Sequence, residues 1–136
     1  MIPAVEAALA ITPSSSSAAR TVDITTTGAR TGQPRRIEIW FYRVDGMVYL
    51  SGQPASRSWY ANLVANPRFT FHLKNGLRAD LAATAEPVLD ADERRRIFSA
   101  IIDDLNHPRH GAYLAQPVEP LDDWVEGSPL IRVTFE

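Results

Sequence analysis

Residues 21–51 read TVDITTTGARTGQPRRIEIWFYRVDGMVYLS, and their alternation sets the architecture. Val22, Ile24 and Thr26 fall on one side of an extended chain, with Thr21, Asp23, Thr25 and Thr27 on the other. That two-residue period belongs to a half-buried strand. It resumes from about Arg35 to Val44, where Ile37, Ile39 and Phe41 share one face and Glu38, Trp40 and Tyr42 the reverse. Asp45-Gly46 tolerates positive φ, so Met47–Ser51 is expected to return as an antiparallel partner.

The same grammar extends outward. Phe69, Phe71 and Leu73 alternate with Thr70, His72 and Lys74, then Asn75-Gly76 supplies a hairpin turn into a strand from Arg78 to Glu86. Ile131, Val133 and Phe135 alternate with Arg132 and Thr134 in a last strand over Leu130–Phe135. Ser58–Ala65 pairs Trp59 with Leu63 and Tyr60 with Val64 at helical spacing before Asn66-Pro67 stops the turn. The capping box Asp90-x-x-Glu93 opens a longer helix whose stripe is Ile97, Phe98, Ile101, Ile102 and Leu105, with Arg94, Arg95 and Arg96 outside. We expect it over a barrel opening. Residues 106–128 hold Pro108, Pro117 and Pro120 and read as an irregular cover with a short helical piece around Tyr113. The fold class is α+β, mainly β: a barrel of about six antiparallel strands with two or three helices packed around it.

Composition bounds the rest. With 136 residues, 45% of them hydrophobic, one core is expected. Residues 1–20 read as a short helix, Pro3 to Ala10, and a flexible connector through Ser14–Ser17, and residues 21–136 as a single domain. A formal net charge of −2 offers no global field for nucleic acid, so any anion site is local. The absence of cysteine excludes disulfides, a thiolate nucleophile and thiolate-held metals. No run is long and apolar enough to be a transmembrane helix, and Met1 is followed by no basic residue before Glu6, so a cytoplasmic protein is expected. His107-Pro108-Arg109-His110 has no flanking ligand cluster, so no metal site is assigned. Asp103-Asp104 and Asp122-Asp123 read as solvated surface.

The chemistry concentrates in Thr26-Thr27-Gly28-Ala29-Arg30-Thr31-Gly32-Gln33-Pro34-Arg35-Arg36. The arginine fork matches phosphate or carboxylate oxygens, so a crowded set in a glycine-shaped loop is an anion-site candidate, although solvated arginines on a surface hairpin would read the same way.

Thr25-Thr26-Thr27-Gly28-x-Arg30-Thr31-Gly32-Gln33-Pro34-Arg35 resembles the signature of the deazaflavin (F420)-dependent nitroreductase and quinone reductase family, and Ser58-Trp59-Tyr60-Ala61-Asn62-Leu63-Val64-Ala65-Asn66-Pro67 is similar to its tryptophan-tyrosine helix. The likeness spans about residues 21–90. It implies a split β-barrel, with Arg30, Thr31, Gln33 and Arg35 at the coenzyme's phosphate and acidic tail and Arg36 as an added candidate. It also implies Ile39 and Trp40 along the deazaflavin ring, with Ser51, Gly52, Arg57, Ser58 and Trp59 near the phosphate or ring edge. Arg30 and Trp40 stand where nitroreductase members more often have lysine and tyrosine, and the carboxyl cover has Tyr113 and Trp124 in place of a tyrosine cluster.

The implied activity is hydride transfer from reduced F420 to a small electrophilic acceptor: a quinone, activated alkene or nitroaromatic. Tyr42, Tyr60, Tyr113 and Ser51 are the candidate proton or hydrogen-bond donors. Two alternatives stay open: an FMN-binding split-barrel oxidoreductase, and a non-catalytic carrier of the cofactor or another hydrophobic ligand. Either a monomer or a homodimer is expected.

Overall fold

Strand β1 (Thr21–Thr27) is flanked on one side by β2 (Pro34–Val44) and on the other by β4 (Arg68–Leu73), every pairing antiparallel. β2 turns into β3 (Met47–Ser51), β3 pairs with β6 (Leu130–Phe135), and β5 (Ala79–Pro87) bridges β6 back to β4. The circuit β1-β2-β3-β6-β5-β4 closes the expected barrel, so no strand edge is left open. The computed structural model describes residues 1–107 and 120–136. Both hairpin turns use positive φ, at Asp45 (51°) with Gly46 (77°) and at Gly76 (82°).

Closure gives each strand face a different fate. Val22, Ile24, Phe41, Leu50, Phe71 and Ile131 fill the interior. Phe71 packs edge-on to both Phe41 and Phe135, at centroid separations of 5.5 and 5.2 Å. The amino-terminal helix α1 (Pro3–Leu9) adds Val5 and Leu9 to this core. Helix α3 (Ser58–Ala65) contributes Trp59 and Leu63 from the other side.

Tyr42, Val44, Tyr49 and Leu130 form a second layer against Ile97, Phe98, Ile101 and Leu105 of α4 (Ala91–Leu105) and Trp124 of α5 (Leu121–Gly127). Tyr42 and Val44 have the opposite parity to Phe41, so α4 covers an outer wall rather than a barrel opening. The apolar residues on both faces of β2 require a second layer, and α4 supplies it. Helix α5 lies where irregular cover was expected. Pro120 precedes it, Asp122 and Asp123 occupy its positive end, and Trp124 packs edge-on to Phe98 at 5.7 Å. Burial of one indole stabilises a helix too short for its own sequence pattern to announce.

Two arginines also depart from expectation. Arg94 is half-buried, its guanidinium donating to the carbonyls of Val125, Val88 and Ser128. Desolvation lowers its pKa, but the carbonyl dipoles keep its hydrogens satisfied. Arg20, at the end of α2 (Ser17–Arg20), is fully buried and donates to Asp104 at 2.7 Å and to the carbonyls of Thr12 and Ser15. Its guanidinium lies 5.9 Å from the Trp40 ring centroid. The serine-rich run read as a connector therefore carries local order, helped by Thr12 N–H donating to Ser15 Oγ and by Ser16 capping α2. Asp104 is likewise an ion-pair partner rather than solvated surface, and Asp122 is paired with Arg95.

No helix among the described residues is long and apolar enough to cross a membrane.

Breaking the buried pair from one side strands a charge. Arg20→Met is expected to lower stability by about 3–5 kcal/mol, and Arg20→Met with Asp104→Leu to recover much of that loss; urea unfolding of both variants measures the difference.

Candidate functional site

The arginine loop is a wide turn between β1 and β2. Gly28 N–H donates to the Gln33 carbonyl at 2.8 Å, Gly32 N–H to the Gly28 carbonyl at 3.0 Å, and Gly32 has φ 68°. A Cβ on Gly28 would stand 2.7 Å from Thr31 Oγ1 and 3.3 Å from the Gln33 carbonyl, so the turn needs a glycine there. Thr31 Oγ1 accepts from Gln33 N–H at 3.2 Å, which fixes the turn from within.

Helix α3 closes on this loop through Asn62, which is 9% exposed. Its Oδ1 accepts from Ala29 N–H at 2.9 Å and its Nδ2 donates to Thr26 Oγ1 at 3.1 Å. Asn66 adds a donor to the Thr27 carbonyl at 3.3 Å. The amide thus pins the loop to the helix with donor and acceptor both used. Sequence reasoning assigned Asn62 no role. Its signal was a polar side chain beside Leu63 and one turn from Trp59, on the buried side of a short helix.

Between loop and helix lies a groove of about 690 Å³, lined by Thr26, Gly28, Ala29, Arg30, Thr31, Arg35, Ile37, Ser56, Arg57, Ser58, Trp59, Ala61 and Asn62. The structure therefore brings together Arg30, Thr31, Arg35, Arg57, Ser58 and Trp59 from the expected set. Among the described residues no carboxylate pairs with Arg30, Arg35 or Arg57, and Arg57 Nη2 reaches only the Gln53 carbonyl at 3.3 Å. Three exposed cations with free donors beside an indole suit an elongated anion carrying a flat ring.

The other expected residues sit elsewhere. Arg36 is on the reverse face of β2, with Nε 3.0 Å from Asp23 Oδ2. Lys74 hydrogen-bonds the same aspartate and, with Arg36, holds its carboxyl below the usual range against some desolvation. Trp40 shares that outer face, under Arg20, while Ile39 packs toward the barrel interior. Gln33 acts through its backbone in the turn, and its side chain is exposed. Ser51 is buried and donates its hydroxyl to the Pro129 carbonyl at 2.7 Å. Gly52 stands behind Arg57, where a Cβ would meet Arg57 Nε at 3.5 Å.

Of the candidate donors, Tyr42 is 5% exposed in the outer layer, and burial, with the Asp104 charge, raises its hydroxyl pKa well above the ordinary value. Tyr113 lies outside the described residues. Tyr60 lines a second groove of about 440 Å³ with Arg57, Leu89, Arg94 and Ser128, and this groove shares Ser56, Arg57 and Ala61 with the first. Among the described residues no group of three or more histidines and carboxylates could hold a metal ion.

The comparisons with known proteins bear on this geometry. The profile of the F420H(2)-dependent quinone reductase family matches residues 15–116. The F420H(2)-dependent quinone reductase Rv1261c of Mycobacterium tuberculosis is 34% identical over 101 residues, covering 71% of this chain and 65% of the relative. The chain thus spans under two thirds of the length of that relative. Among solved structures, the conserved hypothetical protein Rv2991 from Mycobacterium tuberculosis superposes with a TM-score of 0.66 at 22% identity, over all of this chain and 81% of the other. An F420-H2 dependent reductase, FDR-A, gives 0.51 at 18%, over 85% and 94%. At those identities the structures show the shared split-barrel fold. The match to the family profile reaches further, taking in both the arginine loop and the helix that closes on it, and the chain belongs to the F420H(2)-dependent quinone reductase family.

Proposed function

We propose that the protein is an F420H2-dependent oxidoreductase that reduces a small quinone, with the groove between the arginine loop and α3 as its coenzyme site. The observation that carries this reading is the trio Arg30, Arg35 and Arg57, unneutralised by carboxylates among the described residues and placed beside Trp59 in one groove. When bound, reduced F420 supplies the hydride from its C5 position.

The chain's own work is to bind, orient and donate. Arg30 and Arg35 hold the phosphate and acidic tail by charge-assisted hydrogen bonds, and the tight turn at Gly28 lets backbone approach the same anion. Trp59 gives the ring an apolar wall, and Asn62 holds the loop in register with that wall. Arg57, common to both grooves, faces the boundary where coenzyme and acceptor would meet. Tyr60 is the described candidate whose ring borders open space, and it would give a proton or hydrogen bond to the acceptor oxygen as negative charge develops there. The same groove could accept an activated alkene or a nitroaromatic, so the acceptor class is tested separately from the coenzyme.

Arg30→Ala and Arg35→Ala are each expected to weaken F420 binding about ten- to a hundred-fold with little change in thermal stability. Fluorescence titration at two salt concentrations measures this, and unchanged affinity in both variants would remove the phosphate-site assignment. A parallel titration with FMN decides between coenzymes, because tighter FMN binding would move the protein to the flavin branch. Tyr60→Phe is expected to lower kcat for quinone reduction by roughly a hundred-fold while leaving the F420 dissociation constant in place. An undiminished kcat in stopped-flow or steady-state assays would exclude Tyr60 as the donor.

A further inference from the structure

The outer wall of β1, β4 and β5 carries a set of groups that the coenzyme site does not use. Thr25 Oγ1 lies 2.7 Å from His72 Nε2, and His72 Nδ1 lies 2.7 Å from Asp80 Oδ1. Pairing places them in a row. His72 is directly opposite Asp80 on β5 and Asp23 on β1, and two residues back along β4, at Thr70, the partner on β1 is Thr25. Thr25 in turn faces Arg36 across β1 and β2. Threonine, histidine and aspartate are therefore held by three adjacent strands of a closed barrel, with an arginine on a fourth.

The hydrogen-bond chemistry fixes the direction of the chain. An ionised Asp80 can only accept, so the proton on the near side of the ring sits on Nδ1. In the neutral imidazole, Nε2 is then an acceptor, and the Thr25 hydroxyl donates to it. The hydrogen bond from His72, against some desolvation and with the charges of a protonated His72 and of Arg36, lowers the Asp80 carboxyl from the usual range and favours the accepting form. His72 is only 7% exposed, which holds the ring in one orientation, while Thr25 and Asp80 reach solvent. A hydroxyl on the acceptor nitrogen of a histidine whose other nitrogen is held by a carboxylate is the arrangement that turns an alcohol into a nucleophile.

We propose that Thr25, His72 and Asp80 form an acyl-transfer site, in which the Thr25 hydroxyl takes an acyl group from a small activated ester. A bond forms between Thr25 Oγ and the acyl carbon, the bond from that carbon to the leaving oxygen breaks, and the hydroxyl proton passes to His72 Nε2 and on to the departing oxygen. No electron is exchanged. Arg36, whose Nε is held by Asp23 while its side chain is 55% exposed, supplies free N–H donors to the carbonyl oxygen as it gains charge. Thr25 and Asp80 both reach solvent, so a small acyl group can approach the hydroxyl from the open side of the wall.

The test uses the full chain with p-nitrophenyl acetate, followed by peptide mass spectrometry. The expected result is a burst of nitrophenolate approaching one per chain and an acetyl group on Thr25. Thr25→Ser should keep the burst and Thr25→Val should lose it. His72→Gln should slow it by roughly a hundred-fold and Asp80→Asn by about ten-fold. Should His72→Gln fold poorly, the serine and valine variants at position 25 still decide the matter, with F420 titration as the check that Thr25→Val retains its fold. No burst, an equal burst in Thr25→Val, or the acetyl group on Lys74 or the terminal amine would each overturn the proposal.

Discussion

A pleated strand sends successive side chains to opposite faces, and a closed barrel turns that alternation into an inside and an outside with no exceptions along the way. The consequences for β2 are specific. Arg35 shares parity with Ile37, Ile39 and Phe41, so beyond the end of the packed interior it points into the groove above the barrel mouth. Arg36 shares parity with Glu38, Trp40 and Tyr42, and its neighbour is Asp23 on the outer wall. Two adjacent arginines of identical chemistry thereby enter different electrostatic settings. A shift of one residue in the β1–β2 register would exchange them and turn Ile37, Ile39 and Phe41 out of the barrel interior.

The distribution of charge follows the same division. On the outer wall and beneath the helices most arginines are neutralised: Arg20 by Asp104, Arg36 by Asp23, Arg95 by Asp122, and Arg132 by Glu86 and Glu93. Around the groove, the described residues leave Arg30, Arg35 and Arg57 with carbonyls or solvent. Satisfying those guanidinium groups with an incoming anion has a small reorganisation cost, because the loop that carries Arg30 and Arg35 is already fixed by Gly28, Thr31 and Asn62. Preorganisation of this kind matters most for a ligand whose tail supplies charge and whose ring must be set at one height.

The groove and the second opening beside Tyr60 share the Ser56–Arg57 corner and Ala61 in their walls. This corner lies a short loop beyond β3, whose last residue, Ser51, is locked to the Pro129 carbonyl, and Gly52 in that loop leaves room for the Arg57 side chain. One short connection thus couples the barrel wall, the amino end of α3 and the junction between α5 and β6. Two flat molecules seated in adjoining grooves with a shared wall would lie at contact distance, which is the geometry the proposed hydride transfer requires.

The strands, both glycine turns, the α3 helix and the arginine loop were legible in the residues themselves, because period-two alternation, Asp-Gly and Asn-Gly dipeptides and the Asn-Pro stop are local consequences of backbone geometry. The crowding of arginines in a glycine-shaped turn was legible too, but not whether they would stay solvated or meet a partner. What local signals could not carry was the partner of each side chain. Tyr42 and Ser51 looked available as donors until closure buried one and gave the other a carbonyl. Asn62 looked like a helix residue until the loop came down on it, and Arg20 and Asp104 are 84 positions apart in the chain yet meet at 2.7 Å. Helix α5 was missed for the same reason, because Trp124 gains its burial from α4. Sequence determined which segments are strands and where cations gather. The tertiary structure decided which of those cations stay unpaired, because neutralisation and burial depend on neighbours that only barrel closure supplies.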